Sequence, residues 1–244
     1  MTTDSIEAAE KLHAVRQAID RAARLTDRTA ADINLIAVSK TQEADAIRPL
    51  IDAGQRVFGE NRVQEAQAKW PALREQTPDL SLHLVGQLQS NKAAEAVALF
   101  DVIHSLDRPS LLSALARAMD AAGKRLPCFI QVNIGAEEQK GGCPIADTAA
   151  LIRSARDADI PLLGLMCVPP ADVEPAPYFA LFAKMAREEG LARLSMGMSG
   201  DYETAIMLGA TDIRVGTALF GERPSSARPV PASGRGMIRN SRAG

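Results

Sequence analysis

From residue 33 onward, short apolar runs rich in leucine and β-branched residues alternate with stretches of helical periodicity. The runs are INLIAVSK (33–40), RVFGE (56–60), SLHLVG (81–86), VIHSL (102–106), CFIQVNI (128–134), LLGLMCV (162–168), RLSMGM (193–198) and DIRVGT (212–217). They are continuous rather than strictly alternating, the pattern of strands covered on both faces. Helix-like stretches lie between them, among them 43–54, 63–76, 108–124 and 201–210. Pro71 falls inside the second of these and predicts a break or kink. Gly54, Gly123 and Gly209 stand where helix C-cap glycines belong. An amphipathic helix over 4–25 precedes the first strand.

Eight strand–helix units predict an α/β fold, a single (β/α)8 TIM-type barrel over residues 1–224 with a leading helix. An open doubly wound sheet, usually with fewer strands, is the structural alternative. Segment 225–244 holds four Arg and no acid among many Pro, Ser and Gly. It predicts a disordered tail.

Charge narrows the partners. The 244 residues carry 28 basic and 30 acidic side chains, a net charge of −2. No clustered basic face for nucleic acid stands out, and no apolar run is long enough to span a bilayer. The N-terminus is polar and acidic, unlike a secretory signal. Cys128, Cys143 and Cys167 are odd in number and widely spaced, so no disulfide framework is implied. The three histidines and three cysteines show no metal-ligand spacing. A soluble cytoplasmic protein is expected, with neither a nucleic-acid nor a membrane partner.

In such a barrel the chemistry lies at the C-terminal ends of the strands. Lys40 ends the first run, where partial desolvation disfavours an ammonium and frees an amine to attack a carbonyl. An ordinary lysine reaching for solvent is the simpler reading of that position alone. Around SMGMSGDYETAI (195–206), Ser199 and nearby backbone N–H groups form a candidate anion site. RVGT (214–217) adds Gly216, which permits close backbone approach, and the Thr217 hydroxyl. Phosphate sites in barrels are often built after strands 7 and 8, although helix capping explains Ser and Gly equally well. A ligand with an aldehyde at one end and a phosphate at the other fits this placement. Pyridoxal 5′-phosphate (PLP) is one such ligand; the sugar phosphates of Schiff-base aldolases are others.

Seven motifs, in order, carry a resemblance: AVSKT (37–41), FGENRVQEA (58–66), HLVGQLQSNK (83–92), VNIGAEEQKGG (132–142), GLMCVPP (164–170), SMGMSGDYETAI and RVGTALFGER (214–223). From about Ile33 to Arg223 the chain resembles the pyridoxal phosphate homeostasis protein family, relatives of the N-terminal barrel of alanine racemase. The resemblance implies a PLP-binding barrel with the Schiff-base lysine at Lys40. It places phosphate contacts at Ser199, Gly216 and Thr217, with backbone help around Met198. It sets Arg214 against the pyridine nitrogen, Asn61 beside the ring, and His83 and Met166 at positions lining the barrel. Arg62 and Leu82 depart from the family, which often has aromatic residues at both positions.

The resemblance also bears on activity. Arginine is effectively always protonated, so a pyridine nitrogen facing Arg214 stays unprotonated and is a poor electron sink. This does not abolish racemase chemistry, since the resemblance to alanine racemase implies the same arginine there. Racemisation wants a second acid/base on the opposite face of the substrate. Racemases of this kind draw a tyrosine from a further domain and a partner subunit. Only Tyr178 and Tyr202 occur here, both in helix-like segments, and there is no room for another domain before the tail. The expectation is a monomeric PLP carrier in PLP homeostasis and delivery, with apo PLP-enzymes as recipients, no catalytic residue and no metal. The alternatives are a PLP-dependent racemase or lyase, and behind them a Schiff-base aldolase. Lys92 and Lys140 lie in family motifs but read as surface lysines.

Overall fold

The computed structural model describes residues 3–221. Among these, strands β1 (Asn34–Val38), β2 (Val57–Glu60), β3 (Ser81–Leu84), β4 (Val102–Leu106), β5 (Cys128–Val132), β6 (Leu162–Cys167), β7 (Arg193–Ser195) and β8 (Asp212–Val215) run parallel and close into a barrel in sequence order. Closure is the pairing of β1 with β8, in which Ile36 stands opposite Arg214. The sheet therefore has no free edge, and the open-sheet alternative is excluded. All eight apolar runs read from the sequence became strands. The tail expected at 225–244 lies outside the described residues.

The helices are α1 (Thr3–Arg24), α2 (Ala44–Asp52), α3 (Val63–Gln76), α4 (Ala93–Leu99), α5 (Pro109–Ala122), α6 (Thr148–Asp157), α7 (Ala176–Glu188), α8 (Tyr202–Met207) and α9 (Thr217–Phe220). Helix α1 buries Leu12, Val15, Ala18, Ile19, Ala22 and Ala23, one face at helical spacing, against α2, α8 and α9. Gly54, Gly123 and Gly209 have φ of +94°, +60° and +104°, as C-terminal cap positions require. Helix α3 runs unbroken through Pro71, contrary to the expected break. Pro71 and Gln67 both lie on the exposed face, so water can take the Gln67 carbonyl that the proline leaves unbonded.

The main core lies between strands and helices, with Phe58 and Trp70 (ring centroids 5.1 Å apart) among its largest members. The lumen of the barrel is different, since it is largely polar. At the N-terminal ends of the strands, buried Asp212 accepts from Asn34 Nδ2 at 3.0 Å and from Arg193 Nε at 3.1 Å. Arg193 also lies over the Phe129 ring, 5.3 Å from its centroid. Phe129, Val102 and Met166 form a small apolar cluster separate from the main core.

Candidate functional site

A cavity of about 470 Å³ opens where the strands end. Strand β1 delivers Lys40 to it, and the β2 exit delivers Asn61. The β7 and β8 exits bring Met198, Ser199, Arg214, Gly216 and Thr217 to the same cavity. β1 lies between β2 and β8 in the closed sheet, so these residues come from one arc of the barrel mouth. Seven of the nine residues read as cofactor-binding thus share one cavity. Thr41, Gln42, Val85 and Phe220 also line it, unsignalled in the sequence.

Two close approaches shape the wall. A Cβ at Gly216 would sit 3.3 Å from Val38 O, and one at Gly86 would sit 2.3 Å from Asn61 O. The strand exits therefore touch backbone to backbone. Ser199 Oγ accepts from the backbone N–H of Gly216 at 3.2 Å and of Ala218 at 3.4 Å, joining the β7 and β8 loops. The Met198 N–H is committed to Asp201 Oδ1 at 2.6 Å, so this loop is fixed by its own side chain.

Arg214 is buried at the cavity floor. Its Nη1 donates to Ser195 Oγ at 2.7 Å and its Nη2 to Cys167 O at 2.8 Å. These bonds use two of the five N–H groups of a guanidinium. Burial pushes its pKa below the ordinary arginine value, while Cys167, Asp201 and Asp212 act in the opposite sense.

His83 and Met166 do not line the cavity. Met166 packs in the apolar cluster of the lumen. His83 belongs to a buried chain beneath Arg214. Ser195 Oγ lies 2.8 Å from His104 Nδ1, His104 Nε2 lies 3.0 Å from His83 Nδ1, and His83 Nε2 lies 3.2 Å from Ser81 Oγ. Arg214 can only donate, so the direction that gives the Ser195 proton an acceptor runs from Arg214 down to Ser81. Both imidazoles are then neutral with the proton on Nε2. Burial lowers the His83 pKa to about 4, Asp212 and Asp101 opposing the shift and Arg193 and Arg74 reinforcing it. Burial likewise holds His104 well below 6.5, with His83, Arg214 and Arg193 adding to the effect. The thiols of Cys128 and Cys167 are pushed up to about 12 by burial, so neither is a nucleophile at neutral pH.

The departures from the family pattern fall away from the cavity. Arg62 is exposed at the start of α3, and Leu82 is buried in the main core. Lys92 pairs with Glu95 at 2.9 Å, and Lys140 with Glu137 at 2.7 Å. Among the described residues no cluster of His, Cys, Asp or Glu is arranged to hold a metal ion. No described helix is long and apolar enough to cross a membrane.

Comparison with known proteins follows the same geometry. The family model for the alanine racemase N-terminal domain matches residues 11–224. A pyridoxal phosphate homeostasis protein of Pseudomonas aeruginosa is 39% identical over 231 residues, covering 92% of this chain and 98% of the relative. The chain belongs to the pyridoxal phosphate homeostasis protein family. The solved structure of PipY from Synechococcus elongatus with PLP bound is 40% identical, with a TM-score of 0.78 over 88% of this chain and all of PipY. An alanine racemase of Clostridium difficile shares the fold, with a TM-score of 0.62 at 16% identity; 53% of that racemase is covered.

Proposed function

We propose that the chain holds PLP covalently on Lys40 and takes part in its intracellular storage and delivery. One observation carries the reading: an amine, a buried guanidinium and two hydroxyls line one cavity, from Lys40, Arg214, and Ser199 with Thr217. The PLP-bound PipY structure, at 40% identity, supports the choice of ligand.

The residues present fit this cofactor. Lys40 would hold PLP through its amine, and the cofactor would supply the aldehyde carbon for that bond, with one water released. The Ser199 and Thr217 hydroxyls would hold the phosphate, beside the side-chain-free wall that Gly216 leaves. Arg214 would offer a remaining N–H to the pyridine nitrogen and keep it unprotonated. Asn61 would flank the ring from the β2 exit. His83 would act from below, through His104, Ser195 and Arg214, whereas Met166 packs in the lumen away from the cavity.

An unprotonated ring is a weak electron sink but does not by itself stop turnover; the second acid/base that racemisation needs decides between carriage and turnover. Tyr178 packs against the main core and Tyr202 is buried in it; neither lines the cavity. No tyrosine among the described residues therefore faces the Lys40 amine as a second acid/base. The proposed setting is the cytoplasm, which suits three unpaired cysteines. The proposed state is a monomer, since one chain supplies every group of the site. Apo forms of PLP-dependent enzymes are the proposed recipients.

The test is the absorbance spectrum of protein incubated with PLP, before and after borohydride, beside Lys40→Ala. A visible band that borohydride removes, leaving a pyridoxyl adduct mapped to Lys40, is the expected result. Loaded protein should also restore an apo PLP-enzyme faster than the same amount of Lys40→Ala mixed with PLP. Absence of any band in excess PLP overturns the reading and moves the sugar-phosphate aldolase forward. Turnover on an amino-acid panel would establish an enzyme instead.

A further inference from the structure

Lys40 leaves β1 in a strained turn. Gln42 N–H donates to Ser39 O at 3.1 Å, closing a four-residue turn with Lys40 and Thr41 at its centre. Thr41 has φ +63°. Turns with positive φ at the third residue favour glycine or asparagine, and a β-branched residue there is an outlier. Such strain persists only where the surroundings over-determine the backbone.

The surroundings here converge on Lys69 of α3, which is buried and does not line the cavity. Its Nζ donates to Ser39 O at 3.1 Å and to Gln42 O at 2.9 Å, the two ends of the turn. It also pairs with Glu60 Oε1 at 2.7 Å and Glu65 Oε1 at 3.1 Å. Glu65 Oε1 accepts the N–H of Thr41 itself, at 2.5 Å. Glu60 Oε1 accepts from Ser39 Oγ at 2.7 Å and from Trp70 Nε1 at 3.0 Å. Every residue flanking Lys40 in the turn is thus tied to one ion-paired group behind the sheet.

A buried ammonium is costly to desolvate, and well-packed apolar residues often replace buried ion pairs without loss of stability. Stability alone is a weak reason for Lys69. The bonds it makes point to a geometric one. We infer that Lys69, with Glu60 and Glu65, is a positioning group that holds the strained Ser39–Gln42 turn and so aims the Lys40 amine into the cavity. The inference rests on the reading of Lys40 as the PLP-bearing residue.

The test compares wild type, Lys69→Met, Thr41→Gly and the double variant, each titrated with PLP and with pyridoxamine 5′-phosphate, which has no aldehyde. Lys69→Met is expected to weaken PLP uptake about tenfold, the scale of one released backbone strain, and to leave pyridoxamine 5′-phosphate binding within about twofold. In the Thr41→Gly background, where a relaxed turn needs no clamp, the same substitution should weaken PLP uptake by less than about threefold. Equal losses for both ligands, or equal losses in both backgrounds, overturn the inference and leave Lys69 a packing residue. If Lys69→Met does not fold, Glu65→Ala carries the comparison, since it removes the Thr41 acceptor from a partly exposed helix position. A wild type without a borohydride-reducible band overturns the cofactor reading itself, which is a different result from any difference among variants.

Discussion

His104 Nδ1 lies 2.8 Å from Ser195 Oγ, a bond that crosses the lumen of the barrel from β4 to β7. These strands are not neighbours, so the contact exists only because both side chains point inward. It couples Arg214 at the cavity floor to His83 and to Ser81 at the opposite end of β3. One end of the chain is a fixed cation, and the remainder is neutral. The position of Arg214 depends on imidazoles that do not line the cavity.

Acid should therefore weaken the fold before most carboxylates titrate. Unfolded histidine binds a proton near pH 6.5, whereas folded His83 resists until about 4 and His104 is also held well below 6.5. Between these limits the unfolded chain carries more protons than the folded one, so stability falls as pH falls. His83 alone accounts for roughly 3 kcal/mol across this window. Urea unfolding at pH 7.5 and pH 4.5 should show a loss of at least this size, and His83→Gln should flatten the slope between pH 6.5 and 4.5. An equally steep slope in that variant would mean that other groups govern the transition.

Arg214→Gln tests the electronic argument. The substitution removes the obligatory donor and lets a bound pyridine nitrogen take up a proton, which makes the ring a stronger electron sink. PLP should still attach to Lys40, with an altered absorbance maximum. The variant should exchange the α-proton of alanine for deuterium in D2O faster than wild type, read by proton NMR. The cost is about 2–3 kcal/mol of stability, because Ser195 Oγ and Cys167 O lose a charged donor. Unchanged exchange would separate Arg214 from the suppression of turnover.

The barrel, and the gathering of seven candidate residues around one cavity, were legible in the sequence, because each followed a local signal. Strands buried on both faces leave continuous apolar runs, and the residues at their exits are those that a barrel delivers to its mouth. The support beneath was not legible. Lys69 reads as an ordinary lysine on a helix, and its burial depends on how α3 packs on β1 and β2. His83 and His104 appear as scattered histidines 21 residues apart; only the pairing of β3 with β4 makes them neighbours. Their presence in otherwise apolar strands was the one available signal. Lining positions carried over for His83 and Met166 put both in the barrel, yet depth along the strand leaves them below the cavity. Thr41 carries no sequence mark of its positive φ, since the strain is imposed by tertiary bonds.

Gly216→Ala should damage the site more than the fold. Its φ of −116° is negative, so alanine meets no left-handed backbone penalty there. The added methyl would meet Val38 O at 3.3 Å, tight enough to push the β8 exit away from β1. Calorimetric titration with PLP is expected to show affinity reduced about tenfold, with a melting temperature within a few degrees of wild type. Unaltered affinity would show that the β8 exit does not hold the phosphate.

Gly86→Ala makes the complementary prediction on the opposite wall. A Cβ there would sit 2.3 Å from Asn61 O and 2.6 Å from Asn61 Cα, a clash with backbone that no rotamer relieves. Either the β3 exit or the β2 exit must move. Asn61 lines the cavity, and the exit in which it sits follows β2, whose last residue is Glu60, a partner of Lys69. A displaced β2 exit would therefore disturb ring contact and turn clamp together. The variant should lose both PLP and pyridoxamine 5′-phosphate binding, unlike Lys69→Met, and destabilise the fold by about 1–3 kcal/mol. Retained binding of pyridoxamine 5′-phosphate at wild-type affinity would place the movement in the β3 exit and remove Asn61 from the ring-binding wall.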